Sequence, residues 1–312
     1  MFDEMFDEII NYALTEFIDD NEELINTYQW AKIYKKAADK LSDFGAVGKF
    51  TELLLSEGID PLADLDYIPR YYLQGARIAA FVIPNHIKRI DWHAFDECYN
   101  LTNITIPNGL KRIGEGAFCW CENLTSVTIP NSVTEIGGAA FAYCDRLAKV
   151  NIPDGVTSIE VNTFNTCSRL TEIVLPNSVT SIGERAFYDC HSLTSINIPN
   201  SVTSIQDTAF KGCNSLTSIT LPNSLTEIGK GAFAYCSEVE SINIPNGVTS
   251  IGERTFQECH KLKKIVFPDS VTNIAKSAFQ DGEKNLDITI CASKGSYAEK
   301  FANENDFSFE EI

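Results

Sequence analysis

The sequence of 312 residues contains few histidines, few basic residues and no long apolar run. No segment approaches the roughly 18 consecutive apolar residues of a membrane-spanning helix, so we expect no contact with a membrane. The 25 Lys and Arg residues are outnumbered by 43 Asp and Glu residues, which gives a formal net charge of −18. Because nucleic-acid backbones are bound through basic patches, this balance argues against direct nucleic-acid binding.

The N-terminus lacks the Lys and Arg residues that open a secretory signal or a transit peptide. We therefore expect the protein in the cytoplasm, with an extracellular location left open. Residues 1–72 hold 16 acidic and six basic residues, so the negative charge is concentrated there. Six of these acids are candidates for contact with a partner: Asp3, Glu4, Asp7, Glu8, Asp19 and Asp20.

The rest of the chain repeats with a period of 23 and without insertion. Four positions of the repeat are held by proline, phenylalanine, isoleucine, and isoleucine or valine. Proline stands at 84, 107, 130, 153, 176, 199, 222, 245 and 268, and phenylalanine at 95, 118, 141, 164, 187, 210, 233, 256 and 279. Such a fixed period predicts a solenoid, in which each coil stacks on the one before it.

One coil shows how the pattern folds. Ile196 and Ile198 alternate with polar residues, which predicts a short strand with the isoleucines inward. Pro199 ends that strand, because proline cannot donate a ladder hydrogen bond. Residues 202–205 predict a second short strand, and we expect Phe210 to lie in a helical or 3₁₀ turn that closes the coil. Successive coils would then lie about 4.8 Å apart, with Phe over Phe.

The recurring pattern of Cys, Leu, Ile-x-Ile-Pro, Val, Ile-Gly and Ala-Phe, as between Cys121 and Phe141, resembles the BspA-like (Treponema-type) leucine-rich repeats. The resemblance covers about residues 78–290 and extends to the C-terminus, where Ile288–Ile290 and Phe307–Phe309 flank a segment that favours a helix. It implies a right-handed leucine-rich-repeat solenoid with a parallel β-sheet. It also implies a bacterial protein, since proteins with such repeats are often bacterial surface or secreted adhesins.

Three segments follow from these patterns. Residues 1–72 lack the repeat and show helical spacing, which predicts a small α-helical domain of three helices. This domain would either cap the open end of the solenoid or serve as a second binding module. Residues 73–287 form nine 23-residue coils, and residues 288–312 form a C-terminal cap of strand, helix and strand.

Eight of the ten cysteines occur once per coil at one position, which indicates buried, reduced thiols that fill the interior. Cys119 and Cys291 lie outside that series, which leaves room for one exposed and reactive thiol. His191 and His260 share a repeat position three coils apart, which is too far for them to share a metal ion. There is no GxxxxGK loop and no paired Cys-x₂₋₄-Cys. We therefore predict no cofactor, no metal, no catalytic residue and no enzyme activity.

Two surfaces are candidates for binding a partner. The outward positions of the first strand are mostly small and polar, and the larger ones are Lys149, Glu172 and Lys264. Such a face is either simply solvated or a contact surface. Interface energy comes mainly from aromatic and Arg residues, and aromatic residues recur in the turn between Phe and Cys. They are Trp120, Tyr143, Tyr188 and Tyr235, which predict an aromatic edge.

The function that these patterns favour is a non-enzymatic scaffold that binds another protein through a rigid surface. One alternative is an acidic inhibitor or nucleic-acid mimic, in which residues 1–72 occupy the basic groove of a nucleic-acid-handling enzyme. A second is the surface or secreted adhesin that the resemblance implies. The sequence does not identify the partner or the oligomeric state.

Overall fold

A computed structural model describes residues 51, 55, 61–63, 65–282 and 284–312. Within these residues the chain is a parallel β-solenoid of about 11 turns. The three helices predicted before residue 58 lie, apart from two isolated residues, outside the described part of the chain.

Two sets of parallel strands run along the solenoid. The first set consists of the nine strands that precede the repeat prolines, together with β22, which pairs with the last of them. These strands are β2 (Ala80–Val82), β4 (Asn103–Thr105), β6 (Ser126–Val127), β8 (Lys149–Val150), β10 (Glu172–Val174), β12 (Ser195–Asn197), β14 (Ser218–Thr220), β16 (Ser241–Asn243), β18 (Lys264–Val266) and β22 (Thr289–Ala292). The second set consists of β1 (Tyr67–Ile68), β3 (Arg89–Ile90), β5 (Arg112–Ile113), β7 (Glu135–Ile136), β9 (Ser158–Ile159), β11 (Ser181–Ile182), β13 (Ser204–Ile205), β15 (Glu227–Ile228), β17 (Ser250–Ile251) and β19 (Asn273–Ile274).

The register of these strands confirms the stacking of one repeat on the next. Ile173 pairs with Ile196 in the first set, and Ile182 pairs with Ile205 in the second. In every central coil the isoleucine or valine of the strand is buried while its strand neighbours are exposed or half-buried, as the alternation predicts.

The phenylalanines form one column through the core. Phe141 stacks on Phe164 with 5.7 Å between ring centroids, and Phe164 stacks on Phe187 at 5.6 Å. All three rings are fully buried. The predicted contact between side chains one repeat apart is therefore confirmed, and it closes an interior that a single coil would leave open to water.

The turn that contains each phenylalanine differs from the expected helical turn. Thr208 and Gly212 have left-handed backbones, with φ of 54° and 80°. Lys211 N donates to Thr208 O within the coil (3.1 Å), whereas Phe210 N donates to Ala232 O of the next coil (2.8 Å). Because alternate N–H groups face the neighbouring coil, the turn adds a third line of hydrogen bonds between coils. Only the last of these turns is a 3₁₀ helix, over Lys276–Phe279.

Additional turns lie at both ends of the nine regular coils. At the N-terminal end β1 pairs with β3, and Ile68 lies opposite Ile90, so the parallel pairing already begins within the segment 1–72. This first step is one residue shorter than the regular repeat. Leu73 occupies the phenylalanine position, and its N–H donates to Ala94 O (2.7 Å). At the C-terminal end a hairpin of β20 (Gln280–Asp281) and β21 (Lys284–Asn285) precedes β22, followed by helix α1 (Tyr297–Glu304) and β23 (Ser308–Glu311).

Candidate functional site

The exposed Trp120 stacks on the half-buried Tyr143 on the turn side of the solenoid. Their ring centroids lie 4.0 Å apart with 4° between the ring planes, and Trp120 is 39% exposed. Both residues have a left-handed backbone with φ of 58°. Their N–H groups donate to the next coil, Trp120 to Ala142 O (2.9 Å) and Tyr143 to Asn165 O (2.7 Å). Backbone hydrogen bonds to the next coil therefore hold the two rings in place, without a partner that covers them.

A second aromatic patch surrounds Lys211. Its Nζ lies 5.5 Å from the ring centroid of Tyr188 and 5.5 Å from that of Tyr235, so one ammonium contacts two rings. Tyr235 is 41% exposed. Beside it a groove of about 430 Å³ is lined by Lys211, Lys230, Tyr235 and Arg254, together with Glu253. This patch can accept a negatively charged group next to an aromatic surface.

The four predicted aromatic residues thus lie in two patches. Trp120, Tyr143 and Tyr235 share one repeat position, but Thr166, Asp189 and Gly212 occupy it in between. Tyr188 stands one position earlier in its coil. We call the surface formed by Trp120, Tyr143, Tyr188, Lys211 and Tyr235 the turn edge.

The face of the first strand set presents a different surface. Lys149 and Glu172 are exposed there on neighbouring coils, and a groove of about 650 Å³ passes between them and Val174, which is 72% exposed. Asn151 covers part of this face, because its side chain donates to Ile129 O (2.7 Å) and accepts from Ile129 N (2.8 Å).

The other predicted contact residues are Lys264 and six acidic residues near the N-terminus. Lys264 Nζ is paired with Glu310 Oε2 at 2.9 Å, so its charge already ties β18 to β23. The acids Asp3, Glu4, Asp7, Glu8, Asp19 and Asp20 lie outside the described residues.

The cysteines are all buried and free, including Cys119 and Cys291, which the sequence left as possible exposed thiols. Burial raises the pKa of Cys119 to about 12, and burial also raises the pKa of Cys291.

Cys190 and His191 are adjacent in the sequence, but their side chains contact different groups. The Cys190 thiol donates to Phe164 O, and His191 Nδ1 lies 3.0 Å from Gly212 O.

In the part of the chain that the structure describes, every helix is too short or too polar to span a lipid bilayer. Several solved structures resemble the chain. A leucine-rich repeat protein from Bacteroides ovatus is 26% identical, over 79% of this chain and 87% of that chain, with a TM-score of 0.40. A leucine rich cell surface protein from Faecalibacterium prausnitzii is 29% identical, over 75% and 83%, with a TM-score of 0.38. The pneumococcal vaccine antigen PcpA is 18% identical, over 79% and 84%, with a TM-score of 0.46.

No curated protein matches the chain. The family model described as BspA type leucine rich repeat region matches residues 66–193 and 157–287. These two overlapping segments cover the nine regular coils and the strand before them, which is more than half of the sequence. The chain therefore belongs to the BspA-type leucine-rich-repeat family.

Proposed function

We propose that this chain is a non-enzymatic scaffold that binds another protein through its turn edge. Repeat scaffolds of this family are typically used for protein interaction or surface functions, and the family is generally non-enzymatic. The observation that carries the proposal is the stack of Trp120 on Tyr143, two large rings held together at the surface. Tryptophan and tyrosine are enriched among the residues that dominate interface energy.

Preorganisation is the physical advantage of this stack. Both rings are already fixed by contact with each other and by backbone hydrogen bonds to the next coil. A partner that covers them therefore has little side-chain entropy to remove, a cost of roughly 0.5 to 1.5 kcal/mol for each flexible side chain.

The Lys211 patch indicates the chemistry of the partner. Trp120 and Tyr235 lie five coils apart, which is roughly 24 Å at about 4.8 Å per coil. One partner surface of ordinary size spans that distance. It would place an apolar anchor on the Trp120–Tyr143 stack and a carboxylate near Lys211 and Arg254.

The sheet face fits a binding role less well. Apart from Lys149, Glu172 and Val174, the outward residues around its groove are small and polar, and Asn151 is occupied with backbone groups of the neighbouring coil. Residues 1–72 are proposed as a cap or as a second, acidic contact.

The test compares three variants against one partner that is identified by affinity purification with the wild-type chain. Trp120→Ser with Tyr143→Ser removes the stack, and Glu172→Gln with Val174→Ser alters the sheet face. Circular dichroism checks that each variant is folded. We expect the turn-edge variant to bind at least about tenfold more weakly, which corresponds to about 1.4 kcal/mol, and the sheet-face variant to bind as the wild type does.

The third variant neutralises Asp3, Glu4, Asp7 and Glu8 as amides. If this variant or the sheet-face variant loses binding while the turn-edge variant keeps it, the contact lies elsewhere and the proposal is wrong. Loss only in the amide variant would favour the acidic inhibitor instead.

A further inference from the structure

Three metal-ligating side chains converge at the C-terminal end of the solenoid. His260 Nε2 lies 3.6 Å from Glu258 Oε2, and His260 Nδ1 lies 3.6 Å from Asp281 Oδ2. One donor atom from each of the three residues lies within 4.8 Å of the other two. Among the described residues this is the one group of three such side chains with that spacing.

The repeat itself brings the two carboxylates together. Glu258 and Asp281 are one repeat apart, so they occupy the same position on neighbouring coils. Glu258 has a left-handed backbone with φ of 58°, and its Oε1 accepts a hydrogen bond from Gly282 N at 2.9 Å. One oxygen of Glu258 is thereby fixed by the β20–β21 hairpin, which leaves the other oxygen facing His260.

The charges of this group do not balance. Two carboxylates flank one imidazole, so the group carries a net charge of −1 even when the imidazole is protonated. A divalent cation with a neutral imidazole would bring the total to zero. Metal–ligand distances of about 2.0 to 2.2 Å require donor atoms within roughly 4.4 Å of one another. The two carboxylates lie beside different ring nitrogens of His260, but His260 and Asp281 are 53% and 47% exposed, so their side chains have room to rotate until one ring nitrogen faces both carboxylates.

We propose that Glu258, His260 and Asp281 bind a divalent transition-metal ion, with water completing its coordination. One imidazole nitrogen with two carboxylate oxygens suits Zn²⁺, Ni²⁺ or Co²⁺ better than Mg²⁺ or Ca²⁺, which prefer oxygen ligands alone. The ion would tie the β20–β21 hairpin to the coil before it and stabilise this end of the solenoid. This site is independent of the proposed protein binding.

His191 provides a matched control within the same chain. It stands at the same repeat position as His260, three coils earlier. The place of Glu258 is taken there by Asp189, and the place of Asp281 by Gly212, whose carbonyl oxygen lies 3.0 Å from His191 Nδ1. His191 therefore has one carboxylate position beside it and a backbone oxygen in place of the second.

The experiment follows the ring nitrogens of the four histidines by NMR while ZnCl₂ is added to tag-free, full-length protein. We expect the His260 resonances to shift with one ion per chain and the His191 resonances to stay in place. Calorimetry should show at least tenfold weaker binding for His260→Gln and for Glu258→Gln, and unchanged binding for His191→Gln. The melting temperature should rise with Zn²⁺ in the wild type and in His191→Gln but not in His260→Gln.

Two results would overturn the proposal. One is a His260 ring that does not respond to Zn²⁺ up to about 1 mM, since the three residues would then form only an ion-pair cluster. The other is unchanged affinity in His260→Gln, since the ion would then be bound elsewhere in the chain.

Discussion

The thiol of Cys190 donates a hydrogen bond to the backbone oxygen of Phe164, in the preceding coil, over 3.2 Å. The seven other cysteines of the ladder make equivalent bonds to the preceding coil. Each of these carbonyl oxygens also accepts a backbone hydrogen bond within its own coil, as Phe164 O does from Cys167 N (3.2 Å), so the thiol occupies the second lone pair of the oxygen. Cysteine fits because it is small and apolar and still carries a weak donor.

The ladder thiols are expected to resist alkylation. Burial raises the pKa of Cys190 to about 12, so at pH 8 only about one thiol in ten thousand would be the reactive thiolate, even if reagent could reach it. Intact-mass measurement after iodoacetamide should show no adduct on the folded protein and ten adducts in denaturant, one for each cysteine. Rapid labelling of the folded protein at Cys119 would contradict the burial found for that residue.

Stability should fall at alkaline pH. Below the ordinary thiol pKa of 9.0, folded and unfolded chains both keep their thiol protons and the full stability is present. Above it the unfolded chain releases protons, while Cys190 and Cys259 keep theirs up to a pKa of about 12 because they are buried. Each such thiol lowers the free energy of unfolding by up to about 1.4 kcal/mol per pH unit over that window.

Urea denaturation between pH 8 and pH 11 measures this dependence, and Cys190→Ala serves as the comparison. The variant should be less stable at pH 8 but lose stability less steeply as the pH rises. Parallel pH curves for the two proteins would show that the Cys190 thiol does not contribute.

Phe187→Ala should cost about 3 to 5 kcal/mol in the free energy of unfolding. Phe187 is fully buried and its ring stacks on Phe164 at 5.6 Å and on Phe210 at 5.3 Å, so the change opens a cavity between three coils. The matched control is Thr180→Ala in the same coil, which removes an exposed hydroxyl and should cost less than about 1 kcal/mol. Hydrogen exchange should quicken in the coils next to Phe187; similar losses in both variants would argue against a continuous column.

Ala139→Gly should stabilise the protein. Ala139 has φ of 52°, and glycine holds the same repeat position at Gly116 and Gly231, with φ of 59° and 60°. Removing the strain of a left-handed alanine stabilises the folded state by roughly 1 to 2 kcal/mol. The greater conformational entropy of glycine in the unfolded chain offsets about 0.5 to 1 kcal/mol of that gain. Ala140→Gly is the control, because Ala140 is buried without a positive φ and should be destabilised. Thermal melts of the two variants should move in opposite directions.

Ser296→Ala should weaken helix α1 by about 1 kcal/mol. The Ser296 side chain accepts a hydrogen bond from Glu299 N at 3.2 Å, and Glu299 in turn accepts one from Gly295 N at 2.5 Å. The helix buries Phe301 against Phe279 of the column, so its loss would expose the C-terminal end of the core. Urea unfolding should show the loss for Ser296→Ala and little change for Ser296→Asp, which keeps a cap acceptor.

The repeat, the strand positions, the inward isoleucines and the column of phenylalanines could all be predicted from the amino-acid pattern alone. It could do so because a period of 23 without insertion places chemically identical residues over one another, so local pattern and long-range contact carry the same information. The same logic identified the cysteine ladder and the aromatic residues of the turn edge.

Features that break the period, or that depend on backbone direction, became visible in the three-dimensional fold. The coil that begins at Tyr67 is one residue shorter than the regular repeat, and Leu73 replaces phenylalanine in it. The search for a 23-residue period therefore did not detect this coil. The left-handed residues of the turn send alternate N–H groups to the next coil, which apolar spacing does not reveal. His260 lies close to Asp281 because neighbouring coils pack against each other. The two residues do not belong to a sequence motif, so their contact was not predicted.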